Sequence, residues 1–487
     1  PCLLDEHIGE AFHSLILIDR LEGYLPALYA EYFRGGRLIP LSKDPKPGAR
    51  PIVIGDAIRR LIHKSMDQVS KKAMTNFFES QYSNAIQMAN GTKGGAEIKF
   101  NIIQMLLRGD MAPDPPDDPE NQPLEDDPIV VVSIDITNAF NEIDRQALVD
   151  IISGNYDDRT YDQGRVSGQV HPKIPNQFAI HYRSFKANYG GAARLAMVNP
   201  TDGTTDVVRC TKGVQQGDVI AGTLFNAAIY TIVGSVMNNH DGAYNAGYAD
   251  NLDTVGRCSD ALLATKDLVK SLEGIGLRVN TNESAMYAPS YHAATAPPKA
   301  YLDAMMDPDM PKIPWVGTGN GLKVVGFPLG PEAFVRDTMA KVRDNIRREL
   351  ECMKHLEDGL IHHHMLRMCQ ASMFHHLMRG LPADYTLESA LVIDDMLWKN
   401  YKDFILKDFV LPSDPTLAQI EMEQDARTQF FSLIAQGGCG IAPNSAVVYS
   451  ANYSADAISF RLRHALGRLT QTLTKPSSHP NSSRAPS

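Results

Sequence analysis

Apolar and polar positions follow two rhythms along this chain, and the alternation of helical and strand spacing predicts an α+β fold. Residues 1–38 carry apolar positions at helical spacing, with Leu21, Leu25 and Leu28 on one face. Arg37 to Ile52 reads as a strand, a Pro/Gly turn and a second strand. Helices are expected over Asp56–Ser80 and Ala96–Arg108, separated by the break Gly91–Gly95. The largely apolar run Ile129–Ile134, with Ser133 its one polar residue, reads as a buried strand that runs straight into Asp135. A helix over Asn141–Ile152, a polar loop over Ser153–Asn176 and mixed strands over Phe178–Val208 follow. The glycine-flanked loop Gly213–Asp218 opens a helix through Ala221–Val236. Ala246–Gly256 reads as a hairpin with Asp250-Asn251 at its tip, since both residue types tolerate tight-turn angles. Next come a helix capped by Ser259 and ended at Gly274 or Gly276, a strand Leu277–Asn280, and a strand and turn over Leu322–Gly330. Helical spacing then dominates over Phe334–His355, Leu360–Arg379, Leu387–Phe409 and Leu417–Ala435.

At 487 residues the chain is expected to divide into two or three subdomains. No apolar run reaches the length of a membrane span, and no signal core is seen at the start, so the expectation is an intracellular protein of nucleus or cytoplasm, without membrane contact. The first residue is not Met, which suggests an excised portion of a longer protein. Six scattered cysteines fit reduced thiols. The formal charge of −10 is unevenly spread: eight acids and no Lys or Arg lie between Asp110 and Asp127, and setting them aside leaves −2. That stretch also holds five prolines and reads as a solvated, disordered insertion.

Candidate chemistry centres on two carboxylates. Asp135 ends a strand and Asp250 sits at a hairpin tip, and a split βαβ arrangement makes those elements neighbours in one sheet. Carboxylates so joined repel unless a cation lies between them, and paired Mg²⁺ or Mn²⁺ ions about 4 Å apart are a standard device for phosphoryl transfer. The turn between Arg37 and Ile52 carries Arg37, Lys43, Lys46 and Arg50, which suits a triphosphate clamp. Backbone amides at the Gly213–Asp218 loop can approach a ligand closely. His362, His363, His364, His375 and His376 lack metal-ligand spacing with a carboxylate or thiol partner and read as helix-surface or packing residues.

The chain resembles the reverse transcriptases, and within them those of non-LTR (LINE-like) retrotransposons. The motifs that carry the resemblance are Lys43 to Ile52, Asp135-Ile-Thr-Asn-Ala-Phe-Asn141, Gly213-Val-Gln-Gln-Gly-Asp218, Tyr248-Ala-Asp-Asn251, Gly276-Leu-Arg-Val-Asn280 and Val325-Gly-Phe-Pro-Leu-Gly330, in the family's order. Gly437-Gly-Cys-Gly-Ile441 resembles a late element of the same proteins. The resemblance implies a right-hand polymerase: 1–108 N-terminal helices and fingers, 109–128 the acidic insertion, 129–330 a ferredoxin-like palm with a fingers insertion around 153–210, 331–474 a helical thumb and C-terminal helices, and 475–487 a disordered tail. It implies an RNA-directed DNA polymerase, a nucleotidyltransferase adding dNTPs to a DNA primer on an RNA template with two Mg²⁺ or Mn²⁺ ions. Asp135, Asp250 and Asn251 are then catalytic, and these with the Ile136 carbonyl are metal ligands. Lys43, Lys46, Arg50, Phe140, Gln216 and Gly217 bind nucleotide, Phe140 as the gate against a ribose 2′-OH. Val325, Gly326, Phe327, Pro328, Leu329 and Gly330 form a primer grip.

Two positions depart from the family pattern. Asn251 stands where Asp is usual and brings no charge to a metal. Glu283 stands where a Lys usually protonates pyrophosphate, and an ionised Glu cannot donate. Both predict reduced or lost turnover, and the alternative reading is a catalytically silent reverse-transcriptase-like nucleic-acid-binding protein.

Overall fold

The computed structural model describes residues 34–451 apart from 44–47, 109–125, 149–184, 186–187, 200, 292–293, 295, 318 and 408–410. The expected helical face at Leu21, Leu25 and Leu28, residue Lys46, most of the acidic stretch, the loop 153–176 and the tail lie outside those residues.

The basic hairpin forms as β1 (Gly36–Ser42) and β2 (Ala49–Gly55), so Gly36–Leu38 is strand and not the end of a helix. Asp56 caps α1 (Ala57–Ser80), its carboxylate accepting from the Ile58 amide at 2.8 Å. Then follow β3 (Ala85–Gln87), α2 (Gly95–Arg108), β4 (Ile129–Ile134) and the four-residue α3 (Ala139–Glu142). The helix expected over 141–152 therefore starts earlier and breaks at Ile143, whose ψ of 136° is extended. Phe185 and Asn188–Tyr189 are helical, and among the described residues the next strands are β5 (Ala193–Val198) and β6 (Thr205–Cys210).

Beyond them lie α4 (Ala221–Met237), β7 (Ala243–Tyr248), β8 (Asn251–Arg257) and α5 (Cys258–Gly274). Ser259 is not the cap of α5. It lies in the first turn, and Asp127 accepts from its amide at 2.9 Å and its hydroxyl at 2.7 Å, so the last acid of the acidic stretch is a structural cap. Leu277–Asn280 makes one isolated bridge, Ile136 to Val279, and the strand proper is β9 (Ala285–Tyr287). Next are α6 (Lys299–Met305) and the hairpin of β10 (Leu322–Val324) and β11 (Phe327–Leu329). The C-terminal helices are α7 (Glu332–Met353), α8 (Gly359–Met368), α9 (His375–Gly380), α10 (Ala383–Ile405) and α11 (Leu417–Phe430). The helix read over 360–379 is thus two helices, interrupted around Cys369.

Two main sheets result. One runs β3-β7-β8-β4-β9 and the other β2-β1-β5-β6. The five-stranded sheet lies between two apolar layers, which is why β4 is apolar at every position but Ser133. Val130, Val132, Ile134 and Leu252 face α4 and α5, while Val131, Tyr244, Ala246 and Val255 face α2 and the C-terminal helices. Burying each of the Val, Ile and Leu side chains stabilises the sheet by about 1.5–3 kcal/mol. Among the described residues no helix is long and apolar enough to cross a membrane.

Candidate active site

Strands β4 and β8 pair antiparallel with Ser133 opposite Asp253 and Ile134 opposite Leu252. One step further, Asp135 stands level with Asn251, on the sheet face that carries Val131, Tyr244 and Val255, and Asp250 is the adjoining residue. Directly opposed residues in such a pair are about 4.5–5.5 Å apart. The sheet thus brings together residues more than a hundred positions apart in the chain.

The hairpin tip is shifted by one residue from the sequence expectation. Tyr248 pairs with Asn251, so Ala249 and Asp250 make the turn and Asn251 begins β8. Ala249 adopts φ 53°, a left-handed conformation unusual for a residue with a Cβ. The buried Gln87 side chain holds it there: its oxygen accepts from the Ala249 amide at 2.9 Å, and its nitrogen donates to the Ala249 carbonyl at 3.3 Å. Asn138 (φ 47°) and Val325 (φ 43°) are the other non-glycine residues in this conformation among those described. All three lie within the motifs singled out from sequence, where backbone strain tends to collect.

A lysine that the sequence reading did not single out lies under the hairpin. Lys99 of α2 is wholly buried, with its Nζ 2.6 Å from Asp253 and donating to the Asn251 carbonyl at 2.8 Å. Burial pushes its pKa down, against the pull of Asp253 and Asp250. Burial raises the pKa of Asp250, while the charges of Lys99 and Arg50 act the other way. Arg50 is exposed on β2, yet its charge reaches the hairpin tip. Lys43 donates to the Asn138 side chain at 3.3 Å, three residues past Asp135. Of the described hairpin cations, Lys43 thus reaches the segment that follows Asp135, and Arg50 acts on Asp250 by charge.

Asp135 is fixed by its backbone: its amide donates to Ser284 Oγ at 3.1 Å and its carbonyl accepts from Asn280 at 2.8 Å. Thr137 donates to Arg278 at 2.9 Å, so Ile136 lies between those two bonds. Its own amide and carbonyl therefore point to the other edge, toward the hairpin. The donor set is two carboxylates, one carbonyl and the Asn251 amide, whose nitrogen lies 3.5 Å from Asp250 Oδ1. Among the described residues no three His, Cys, Asp or Glu side chains converge on a metal position. Hard oxygen donors with two charges fit a divalent ion whose shell is completed by phosphate oxygens.

Phe140 stacks on Phe225 of α4, centroids 4.4 Å apart and planes 20° off parallel. Gln216 bridges in parallel to Ile52, and the Val53 amide donates to its carbonyl at 2.6 Å. Gln216 Oε1 is buried without a hydrogen-bond partner. Gly217 has φ +105°, and a Cβ there would lie 2.6 Å from the Val53 carbonyl, so no larger residue fits. The Val325-Gly326 turn joins β10 to β11, and Phe327 stacks on Phe100 of α2 at 4.9 Å. Pro328 and Leu329 are buried on β11, and Gly330 closes against Gly321. Val325, Phe327, Tyr248, His376 and the Glu97–Arg379 ion pair line a cavity of about 510 Å³ on the Asp135 face of the sheet. Glu283 is exposed near the end of the Asn280 turn. His362 is buried against the Phe404 ring at 4.0 Å.

No protein-family model and no curated protein matches this chain. Among solved structures it is similar to apo telomerase from Candida tropicalis, at 11% identity over 96% of this chain and 74% of that one, with a TM-score of 0.42. Telomerase from Candida albicans in complex with a TWJ fragment of telomeric RNA overlaps at 10% identity, 97% and 69% coverage and a TM-score of 0.43. The corresponding Candida tropicalis complex gives 12%, 97% and 68%, and 0.40. Overlap at this level carries no function by itself, which rests on the site residues.

Proposed function

We propose that the chain is an RNA-directed DNA polymerase of the reverse transcriptase kind, similar to those of non-LTR retrotransposons, with residues 129–330 as palm, 36–55 and 193–210 in the fingers, and 331 onward as thumb. The observation that carries this reading is the β4–β8 register, which sets Asp135 level with Asn251 and beside Asp250. Asp135, Asp250, the Ile136 carbonyl and Asn251 would hold two Mg²⁺ or Mn²⁺ ions. When bound, these supply charge neutralisation for the attacking hydroxyl and the leaving pyrophosphate.

This chain's own residues do the rest. Arg50 and Lys43, with Lys46, hold the dNTP triphosphate by charge-assisted hydrogen bonds. Phe140, backed by Phe225, presents a rigid ring where a ribose 2′-OH would project. Gln216 and Gly217 line the incoming nucleotide. The Val325–Gly330 hairpin steadies the primer terminus beside Tyr248, and the RNA template is bound through shape and phosphates.

The test is primer extension on an RNA template with Mg²⁺ or Mn²⁺. Extension is expected from the native chain and a loss of at least ~10²–10³-fold in Asp135→Ala. Equal signal from both overturns the reading. Asn251→Asp is expected to strengthen Mg²⁺ binding and raise turnover, since it adds a charge to the donor set. A second reading, a silent nucleic-acid-binding protein, is favoured by the Asn251 amide nitrogen turned toward Asp250 Oδ1. It predicts template binding with no extension.

A further inference from the structure

A second polar assembly lies behind the Gly213–Asp218 loop, and the chemistry described so far does not use it. Asp218 is buried, yet each of its carboxylate oxygens is engaged. Oδ1 lies 2.7 Å from His63 Nδ1 and accepts from the Ile220 amide at 3.3 Å, and Oδ2 accepts from the Tyr189 hydroxyl at 2.7 Å. Asn188 Nδ2 lies 3.1 Å from the other His63 nitrogen. The Tyr189 oxygen also accepts from the Gln215 amide at 3.3 Å. One turn before His63 on α1, the buried Arg59 donates to Gln215 Oε1 at 2.9 Å and to the carbonyls of Arg34 and Gly35 at 3.0 and 3.2 Å. Gln215 in turn donates to the Arg34 carbonyl at 2.9 Å.

These bonds tie α1, the entry to β1 and the loop into one body. The loop backbone is itself bonded to β2 at Val53, three residues from Arg50. Arg59 and Gln215 join all three, and Asp218 fixes the end of the loop to α1 through His63 and to Tyr189. We propose that Asp218, His63 and Tyr189 are positioning residues that hold the Gln215-Gln216-Gly217 loop against β2, and so set the affinity for incoming nucleotide. The inference rests on the polymerase reading.

Asp218→Asn keeps the volume but turns an amide donor toward either the Tyr189 hydroxyl or the His63 and Ile220 side, and Tyr189→Phe removes the hydroxyl's two bonds, to Asp218 and from the Gln215 amide. Steady-state extension by the full chain is expected to show the dNTP KM raised about tenfold in Asp218→Asn and about threefold in Tyr189→Phe. Both kcat and the template–primer KM stay within about twofold of native, because neither group touches the reacting atoms. Hydrogen exchange of peptides spanning 48–55 and 213–220 is expected to quicken about tenfold or more, while 243–257 keeps its native rate. A purely structural role would lower kcat with the folded fraction and leave the dNTP KM unchanged, and that result overturns the proposal. Should the native chain extend no primer, the polymerase reading falls and exchange alone decides. Unchanged exchange over 213–220 in Tyr189→Phe, the milder variant, then sinks the positioning role.

Discussion

The two sheets carry different halves of the candidate site on different foundations. In the five-stranded sheet Val130, Val131 and Val132 are wholly buried, and apolar layers cover both faces. In the four-stranded sheet the buried cluster is Val53, Ala193 and Leu195, and β6 leaves Val207 and Val208 51% and 44% exposed. The carboxylates stand on the thick sheet and Lys43 and Arg50 on the thin one. Under the proposed polymerase reading, the groups that would need a fixed geometry rest on the part with most to lose by moving, and those that would admit and release a nucleotide rest on the part with least. What stiffens the thin sheet is its junction with the Gln216 loop and α1, not a core of its own.

The contrast can be broken at its strongest point first. Lys99→Met removes the partner of the buried Asp253, whose Oδ1 already lacks a hydrogen bond. The expected loss is about 3–5 kcal/mol, read from the shift in urea midpoint. A loss under about 1 kcal/mol would mean that the thick sheet does not depend on this pair.

The Asp218 junction ranks next. Burial would raise this carboxyl, but His63, Arg59 and Tyr189 hold it at about 2 against an ordinary 3.8. Its contribution, about 2 kcal/mol, is therefore present above pH 3.8 and fades as pH falls through about 2. The stability gap between native and Asp218→Asn should be full at pH 6 and shrink below pH 4. A gap independent of pH would contradict this.

Ala249→Gly relieves a left-handed Cβ and should stabilise the hairpin by about 0.5–1 kcal/mol in thermal melts. Destabilisation would show that the Gln87 clamp, and not the turn's own strain, governs this tip. Smallest of all, Val207→Thr on the exposed face of β6 should change stability by less than about 0.5 kcal/mol. A larger loss would reveal a covered face on the thin sheet.

Much of this arrangement was legible in the order of residues. The Ile129–Ile134 run read as a buried strand, and that placed Asp135 at its end. The Asp-Asn pair signalled a hairpin, but the tip fell one residue early because Gln87, far upstream, imposes the left-handed angle on Ala249. No local propensity encodes that. Lys99 left a trace that went unread: a charge inside the apolar run Ile98 to Ile103. Its partner Asp253 lies on another element, so only the fold reveals the pair. The His63–Asp218–Tyr189 assembly was invisible for the same reason, being drawn from three distant segments. Helical periodicity runs straight through Cys369, which concealed the break between α8 and α9. Docking explains the second piece, since Gly380 packs against the Phe327 ring where a Cβ would clash at 2.3 Å.

The parallel pairing of β3 with β7 joins Ala85 to Asn245, roughly 160 residues downstream. On a ribosome adding about 5–20 residues per second, β3 waits on the order of 10–30 s for its neighbour to be made. Until then Ala85, Ile86 and Gln87 have no place in the sheet, and the clamp on the hairpin tip cannot form. Fragments ending before residue 248 lack the strand that β3 pairs with, and should be recovered as aggregates.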